Sequence, residues 1–461
     1  PTLGELNLMK IELNTDIVRM FKVEIQRIIV QSVSLEIVSN PQEFQSKLCT
    51  HDHCKWAMEV IGCGFTLPVD DHKTIAHCIS IYEEWFVKMQ YVPAPIEEER
   101  SHYDHVAMTQ LTNLLYQRGG SAESLNGYAE LCLRAISILR SIGTRYKPGS
   151  DMSRQLVCCL LGCMQDVCGK QHVNSQSVII SYIAEKLIHA VYETWLNYGE
   201  ADEELWGVLQ ECHRVWIKTK EVALAWVDTT LRVQKTFLTA VEAKQSDVSF
   251  IVNTEKLQVN GSYTLKYFLK TWLRFIHLCG TPARLQDASV VLIITDGISM
   301  FVKNIIECSK DGHYAGAPDG NVIVKLFGDP LAQLVTCLDH IRFELAINVA
   351  VNTIGTIFGV TTGRTTFRAQ HLSILYQVMS DAILSTNGKI ILTAIRILSR
   401  LLLLSFPSQE VLYPSIMRAA EHISTMVDNN SRELRSSCIE LMGLIQLSFT
   451  KQRQEIACHE I

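Results

Sequence analysis

The chain has 461 residues, of which 48% are hydrophobic and 20% charged. This is enough apolar material for large cores and excludes wholesale disorder. Asp and Glu (48) outnumber Lys and Arg (42), giving a formal net charge of −6. Because nucleic-acid binding depends on clustered positive charge, we expect no nucleic acid as a main partner.

Apolar residues recur at steps of three and four along most of the chain, which predicts amphipathic helices. The clearest case is 175–198, where Ser175 and Ser177 offer N-caps before a wide apolar stripe that ends at Trp195 and Leu196. Few segments alternate with the period of two typical of strands, and only residues 249–259 are predicted to form a short strand. The other predicted helices, in chain order, are 14–33, 53–67, 72–90, 103–118, 123–143, 152–168, 203–218, 220–243, 264–279, 286–308, 331–359, 366–385, 389–405, 409–427 and 432–449.

Long helices joined by mostly short breaks favour antiparallel helix pairs, which must stack on neighbouring pairs to bury both of their apolar faces. The sequence therefore predicts an all-α fold, a HEAT/armadillo-like helical solenoid. We divide it into an N-terminal helical block (1–308), a loop (309–330) and a C-terminal helical-repeat block (331–461). The loop assignment rests on the Gly, Asp and Pro residues of 309–321.

The 15 cysteines lie largely within apolar stretches, which favours free buried thiols in a reducing compartment. With no signal-peptide pattern at the start of the sequence, we expect a cytoplasmic protein. The longest uncharged run, 345–363, is about long enough to cross a bilayer. Because it contains Asn348 and Asn352, we predict a buried core helix and no membrane span.

Two groups of residues suggest a metal site. The first is His51-Asp52-His53-Cys54, followed by His72, His77 and Cys78. It lacks the paired short spacings typical of zinc ligands, so polar surface residues before a helix starting near Lys55 are favoured. The second is the set Cys158, Cys159, Cys163 and Cys168, which shares part of one helix face and favours core packing.

Other chemical motifs are equally incomplete. Gly359–Thr366 is similar to a phosphate-binding loop but is one residue short, has Arg364 in place of lysine and follows a helical stripe instead of a strand. Glu83 and Glu84 point about 100° apart on a helix and predict no acid/base pair. We assign no catalytic, cofactor-binding or metal-ligating residue, and expect neither a cofactor nor enzyme activity. The tryptophans in helical stripes are predicted core residues: Trp56, Trp85, Trp195, Trp206, Trp216, Trp226 and Trp272.

Several residue strings resemble, in order along the chain, the N-terminal helical region of the beta subunit of the Ral GTPase-activating protein complex. The strings are Lys55–Ile61 with Gly64–Pro68, Ala184–Ile188 with Glu193–Leu196, and Thr271–His277, with shorter echoes at Leu326–Gly328 and Glu433–Ser437.

This resemblance implies a non-catalytic helical scaffold or regulatory subunit that forms a heterodimer with a catalytic alpha-type subunit, with Ras-like small GTPases as further expected partners. In this family the alpha subunit's GAP domain supplies the catalytic asparagine. We find no segment in 1–461 that resembles a GAP domain, so no catalytic residue carries over. The alternative is a generic HEAT/armadillo adaptor in trafficking or transport, which would bind peptides along a concave groove.

Overall fold

A computed structural model describes residues 17–116, 122–147, 149–169, 177–198, 202–254, 257–308, 319–361, 365–404, 406–407, 409–425 and 431–459. Nearly all of the regular structure in these residues is helical, which confirms the all-α class. The α-helices are α1 (Val23–Ser39), α2 (Pro41–Lys47), α3 (His51–Gly64), α4 (His72–Glu83), α5 (Ala94–Glu98), α6 (Arg100–Leu115), α7 (Ala122–Gly143), α8 (Asp151–Gly169), α9 (Ser177–Tyr198), α10 (Glu203–Trp216), α11 (Lys220–Glu242), α12 (Leu265–His277), α13 (Ala288–Cys308), α14 (Gly320–Cys337), α15 (Glu344–Thr361), α16 (Ala369–Ile383), α17 (Gly388–Leu403), α18 (Tyr413–Thr425) and α19 (Ser431–His459).

The chain forms two compact units, of which unit 1 comprises 1–225 and 247–267, and unit 2 comprises 226–246 and 268–461. In unit 1, α4, α7 and α9 pack side by side in one layer, and α6, α8 and α10 pack in a second layer. The two layers contact each other through α6 with α7, α7 with α8, and α8 with α9. This two-layer stacking is the packing of a helical solenoid.

Unit 2 repeats the same arrangement with α13, α15, α17 and α19 in one layer and α14, α16 and α18 in the other. Within the first of these layers, α15 and α17 approach closely where Gly355 of α15 faces Ile397 of α17. A Cβ atom at Gly355 would lie only 2.7 Å from the Ile397 side chain. The predicted solenoid is confirmed in both units. The boundary between the units does not fall at residue 308, because residues 226–246 and 268–308 pack with the later helices in unit 2.

A β-hairpin belongs to unit 1, although helices assigned to unit 2 flank it in the chain. Strand β1 (Asp247–Asn253) pairs antiparallel with β2 (Gln258–Thr264), with Asp247 opposite Thr264 and Asn253 opposite Gln258. The prediction of a single strand at 249–259 is therefore wrong. That segment contains parts of two strands, and the chain reverses between Asn253 and Gln258.

The predicted loop 309–330 is wrong over 320–330, while 309–318 lie outside the described residues. Asp319 starts α14 by accepting a hydrogen bond from the Asn321 N–H (3.2 Å), and the helix continues through Pro330. The predicted helix 331–359 is in fact two helices. Asp339 Oδ1 accepts hydrogen bonds from the Ile341 and Arg342 N–H groups, which forms a turn between α14 and α15.

In the part of the chain that the structure describes, α13 and α15 are long and apolar enough to cross a membrane, yet 61% and 56% of their apolar windows are buried inside the protein. Core helices of folded domains have the same character. The prediction of core tryptophans is wrong for Trp56 of α3, which is 44% exposed. The other six are buried as predicted.

Candidate functional site

A concave cleft lies in unit 1, with a volume of about 460 Å³. Its walls are the end of α7, the start of α8, the end of α9 and the tip of the hairpin. Hydroxyl and amide side chains line it together with aliphatic ones, including Thr144, Tyr146, Leu156, Asn197 and Ile251. A cleft of this size and mixed chemistry could accept a short peptide segment or a small polar molecule.

An ion pair between Arg140 of α7 and Glu193 of α9 lies in this cleft. The guanidinium donates from Nε to Oε1 (3.2 Å) and from Nη2 to Oε2 (2.6 Å), so the pair is bidentate. Glu193 is 3% exposed and also accepts a hydrogen bond from the Gln258 N–H (2.7 Å). The two charges neutralise each other, and the carboxylate fixes the hairpin to the helices.

Three more hydrogen bonds hold β2 against α9. Asn197 Nδ2 donates to the Gln258 carbonyl (3.2 Å), and Asn197 Oδ1 accepts from the Asn260 N–H (3.4 Å). Tyr263 donates its hydroxyl proton to the Leu196 carbonyl (2.7 Å). Side chains therefore satisfy backbone groups that an edge strand would otherwise leave open to a further strand.

A second polar cluster is centred on Asp104 of α6, which is fully buried. Arg145 Nη2 donates to its Oδ1 (2.9 Å), and the Tyr146 hydroxyl donates to its Oδ2 (2.6 Å). Burial raises the pKa of Asp104, although its two donors act in the opposite direction. Because Tyr146 also lines the cleft, this buried cluster fixes one of the cleft walls.

Burial raises the pKa of Cys158 to about 12, and it also raises the pKa of Cys163. Thiols of this kind stay protonated at neutral pH and are poor nucleophiles. Arg140 and Arg145 are each held by a carboxylate.

The structure accounts for the predicted metal candidates in structural terms. Thr50 Oγ1 caps α3 by accepting from the His53 N–H (3.2 Å), so His51–Cys54 form the first turn of that helix. The helix therefore starts before Lys55, and Cys54 is buried instead of lying on the surface. Within the described ranges, no group of three or more His, Cys, Asp or Glu side chains could hold a metal ion.

The segment similar to a phosphate-binding loop, Gly359–Thr366, includes residues 362–364, which lie outside the described residues. Its last two residues lie against the start of α14, where Thr365 Oγ1 accepts from the Gly320 N–H (3.0 Å) and the Thr366 carbonyl accepts from Asn321 Nδ2 (3.1 Å). Glu83 and Glu84 diverge as predicted, the first pairing with Arg134 and the second with Lys88.

Sequence reasoning missed Arg140, Glu193, Asp104 and Arg145. The members of each pair are 53 and 41 residues apart, so no spacing motif joins them. One signal was available, because Glu193 is an acidic residue inside an otherwise apolar helical stripe. Such a residue needs a charged partner when it is buried.

The comparison with protein families gives a match to the RALGAPB N-terminal domain over residues 124–241. This segment contains Arg140, Glu193 and the predicted strings at 184–188 and 193–196. The other strings, at 55–68, 271–277, 326–328 and 433–437, lie outside it.

Among curated proteins, a Rap-GAP domain-containing protein of Dictyostelium discoideum is 22% identical over 274 residues, which is 59% of this chain and 16% of that protein. The Ral GTPase-activating protein subunit beta of Rattus norvegicus is 25% identical over 258 residues, or 54% of this chain and 17% of the relative. The human subunit is 24% identical over the same length. The chain thus spans about one sixth of these relatives. The predicted resemblance to the beta subunit is confirmed.

Two solved structures align with most of the chain, an engineered protein (11% identical, TM-score 0.29, 96% of this chain and 98% of that one) and a circular tandem repeat protein (13% identical, TM-score 0.26, 94% and 96%). At these TM-scores the likeness carries no argument.

Proposed function

We propose that this chain, which resembles the N-terminal helical region of Ral GTPase-activating protein beta subunits, is a non-catalytic scaffold of a Ral-type GTPase-activating complex. In this proposal it works in the cytoplasm and binds a catalytic alpha-type subunit, which in turn acts on a Ras-like small GTPase. The observation that carries the proposal is the family match over 124–241, supported by relatives named as beta subunits.

The fold and the cleft are compatible with this role. A helical solenoid offers long surfaces for a protein partner. GTPase activation requires a group that reaches the γ-phosphate to orient water or stabilise charge. In unit 1 the arginines in and beside the cleft are held by Glu193 and Asp104. Arg140 and Arg145 therefore stabilise the fold, and we assign stabilisation of the transition state to the partner.

Two measurements on the full chain test the proposal. Gel filtration with an alpha-type catalytic subunit should give a stable complex, as expected for an interface of at least about 1,200 Å². Single-turnover GTP hydrolysis by a Ral-type GTPase should be unchanged by the chain alone and accelerated when the catalytic subunit is present.

Stimulation by the isolated chain would overturn the non-catalytic assignment, because GAP action typically contributes about 10³–10⁵ in rate and would be easy to detect. Failure to bind the catalytic subunit would instead support the generic adaptor.

A further inference from the structure

The two edges of the β-hairpin in unit 1 differ in how their backbone groups are satisfied. In an antiparallel pair, alternate residues direct their N–H and C=O groups away from the partner strand. Gln258 and Asn260 of β2 are such residues, because their backbone groups form hydrogen bonds with side chains of α9. Helix α9 therefore closes the outer edge of β2.

The outer edge of β1 has no hydrogen-bonding partner at Ser249 and Ile251 among the described residues. Because Ile251 lies opposite Asn260 in the register, the backbone groups of Ile251 point away from β2, and the alternation extends this to Ser249. No other described residue forms a hydrogen bond with these backbone groups. Both side chains are exposed, and Ile251 is 67% exposed. Two donors and two acceptors thus alternate along this edge.

Strand β1 also lacks the features that usually protect an edge strand from further pairing. Natural edge strands often carry lysine, proline or a bulge. The segment Asp247–Asn253 contains neither lysine nor proline, and its residues pair one to one with those of β2. Its middle residues are Val, Ser, Phe, Ile and Val, a composition that favours strands. The edge is therefore suited to accept an added strand.

The cleft of unit 1 adjoins this edge, since Ile251 and Val252 of β1 are among its lining residues. Successive side chains of a strand point to opposite faces of a sheet. Every second side chain of a strand added to β1 would therefore share the face of Val252 and enter the cleft.

The polar groups of the cleft indicate which side chains it would accept. Glu193 binds Nε and Nη2 of Arg140, whereas Arg140 Nη1 makes no hydrogen bond with a described residue and can donate to an oxygen of a ligand. The other lining side chains are uncharged. Because the Arg140–Glu193 pair is neutral as a whole, the cleft favours uncharged side chains over charged ones.

We propose that β1 binds an extended peptide segment of a partner protein as an additional strand, with uncharged side chains of that segment entering the cleft. In this mode of recognition, backbone hydrogen bonds supply affinity and pockets for alternate side chains supply specificity. The inference goes beyond the scaffold function and does not depend on it, because it rests on the hairpin and the cleft alone.

A second copy of this chain fits the edge less well than a peptide does. In antiparallel pairing of two β1 strands, Val248 and Phe250 of the copy would lie on the cleft side. Each is 1% exposed because it packs within its own unit. These side chains could not enter the cleft, which would remain unfilled.

The first test uses the full chain to select binders from random peptides displayed on phage. Selected peptides should share a stretch without proline in which every second residue is uncharged. Synthetic copies with one N-methylated amide should lose about tenfold or more in affinity at alternate positions only, because every second N–H of an added strand faces β1. Selection of no peptide, or losses without this alternation, would overturn the inference.

Ile251→Pro removes one donor from the edge. Proline is tolerated on an edge strand where its nitrogen faces solvent, so the variant should keep the wild-type circular dichroism spectrum. Its dissociation constant for the selected peptide should rise about tenfold or more. Ile251→Thr is the matched control, because it changes the same exposed side chain and keeps the N–H, and it should bind like wild type. Equal binding by wild type and a folded Ile251→Pro variant would overturn the inference. If Ile251→Pro does not fold, the N-methylated peptides decide.

Light scattering of the full chain without peptide tests the second copy. It should show no self-association that Ile251→Pro removes. A wild-type dimer that becomes a monomer in Ile251→Pro, but not in Ile251→Thr, would assign the edge to a second copy and overturn the inference.

Discussion

Arg140 and Glu193 join α7 to α9 through two hydrogen bonds, and Glu193 also accepts a hydrogen bond from the Gln258 N–H of the hairpin. One carboxylate thus serves a helix pair and a strand that are brought together only by folding. The consequence for stability is testable, because removing one partner of a buried pair leaves the other charge uncompensated.

Glu193→Ala should destabilise the protein by about 3–5 kcal/mol, because it leaves the Arg140 charge and the Gln258 N–H without their partner. Urea unfolding followed by circular dichroism measures the loss. The matched control is Glu211→Ala, which removes an exposed partner of Arg214. Exposed pairs contribute about 0–1 kcal/mol. Equal effects of the two variants would contradict the assigned role of Glu193.

Trp195→Ala should also cost about 3–5 kcal/mol, the sum of lost transfer free energy and a cavity. Trp195 is 3% exposed, and its ring centroid lies 5.5 Å from that of Trp206. Trp56→Ala is the control. Because the Trp56 side chain is 44% exposed, its removal should lower the free energy of unfolding much less. Thermal unfolding of both variants compares them directly, and an unchanged melting curve for Trp195→Ala would rule out a packed stripe.

Asp202 should make the stability of unit 1 depend on pH in the acid range. Burial alone would raise its pKa, but hydrogen bonds from the Leu205 N–H and Arg154 outweigh burial and lower it. A lowered carboxyl pKa gives stability that is fully present above the unfolded value of about 3.9 and is lost as pH falls through the folded value.

Asp202→Ala should therefore cost about 0.5–2 kcal/mol at pH 7, the usual loss for an N-cap. It should also flatten the dependence of the unfolding free energy on pH below about 4. Glu204→Ala removes another carboxylate that contacts Arg154 but is not the N-cap, so it serves as control. A steep acid dependence that survives in Asp202→Ala would contradict this assignment.

Asn321→Ala should destabilise unit 2 by about 1–3 kcal/mol, the cost of leaving buried groups without partners. Its Oδ1 accepts from the Arg368 N–H (3.0 Å) and from His371 Nδ1 (2.7 Å), and its Nδ2 donates to the Thr366 carbonyl. Hydrogen exchange at the Arg368 amide should speed up in this variant. Asn352→Ala, at an exposed position of α15, should change neither quantity.

The sequence determined the helices and much of the core, because both follow from local periodicity. The stripe from Ile183 to Leu196 has one apolar face, so the burial of Trp195 followed from spacing alone. The cysteines at 158 and 163 are buried for the same reason. The resemblance of short residue strings to a known subunit could also be recognised from the sequence, since it depends only on residue order.

Only the tertiary structure decided which stripe edges are covered and which distant charges meet. Trp56 belongs to an apolar stripe yet is 44% exposed, and the sequence pattern of α3 alone does not show this. The Arg140–Glu193 pair spans 53 residues, and its geometry depends on how α7 and α9 pack. Periodicity describes one element at a time, whereas buried charge pairing depends on contacts between elements.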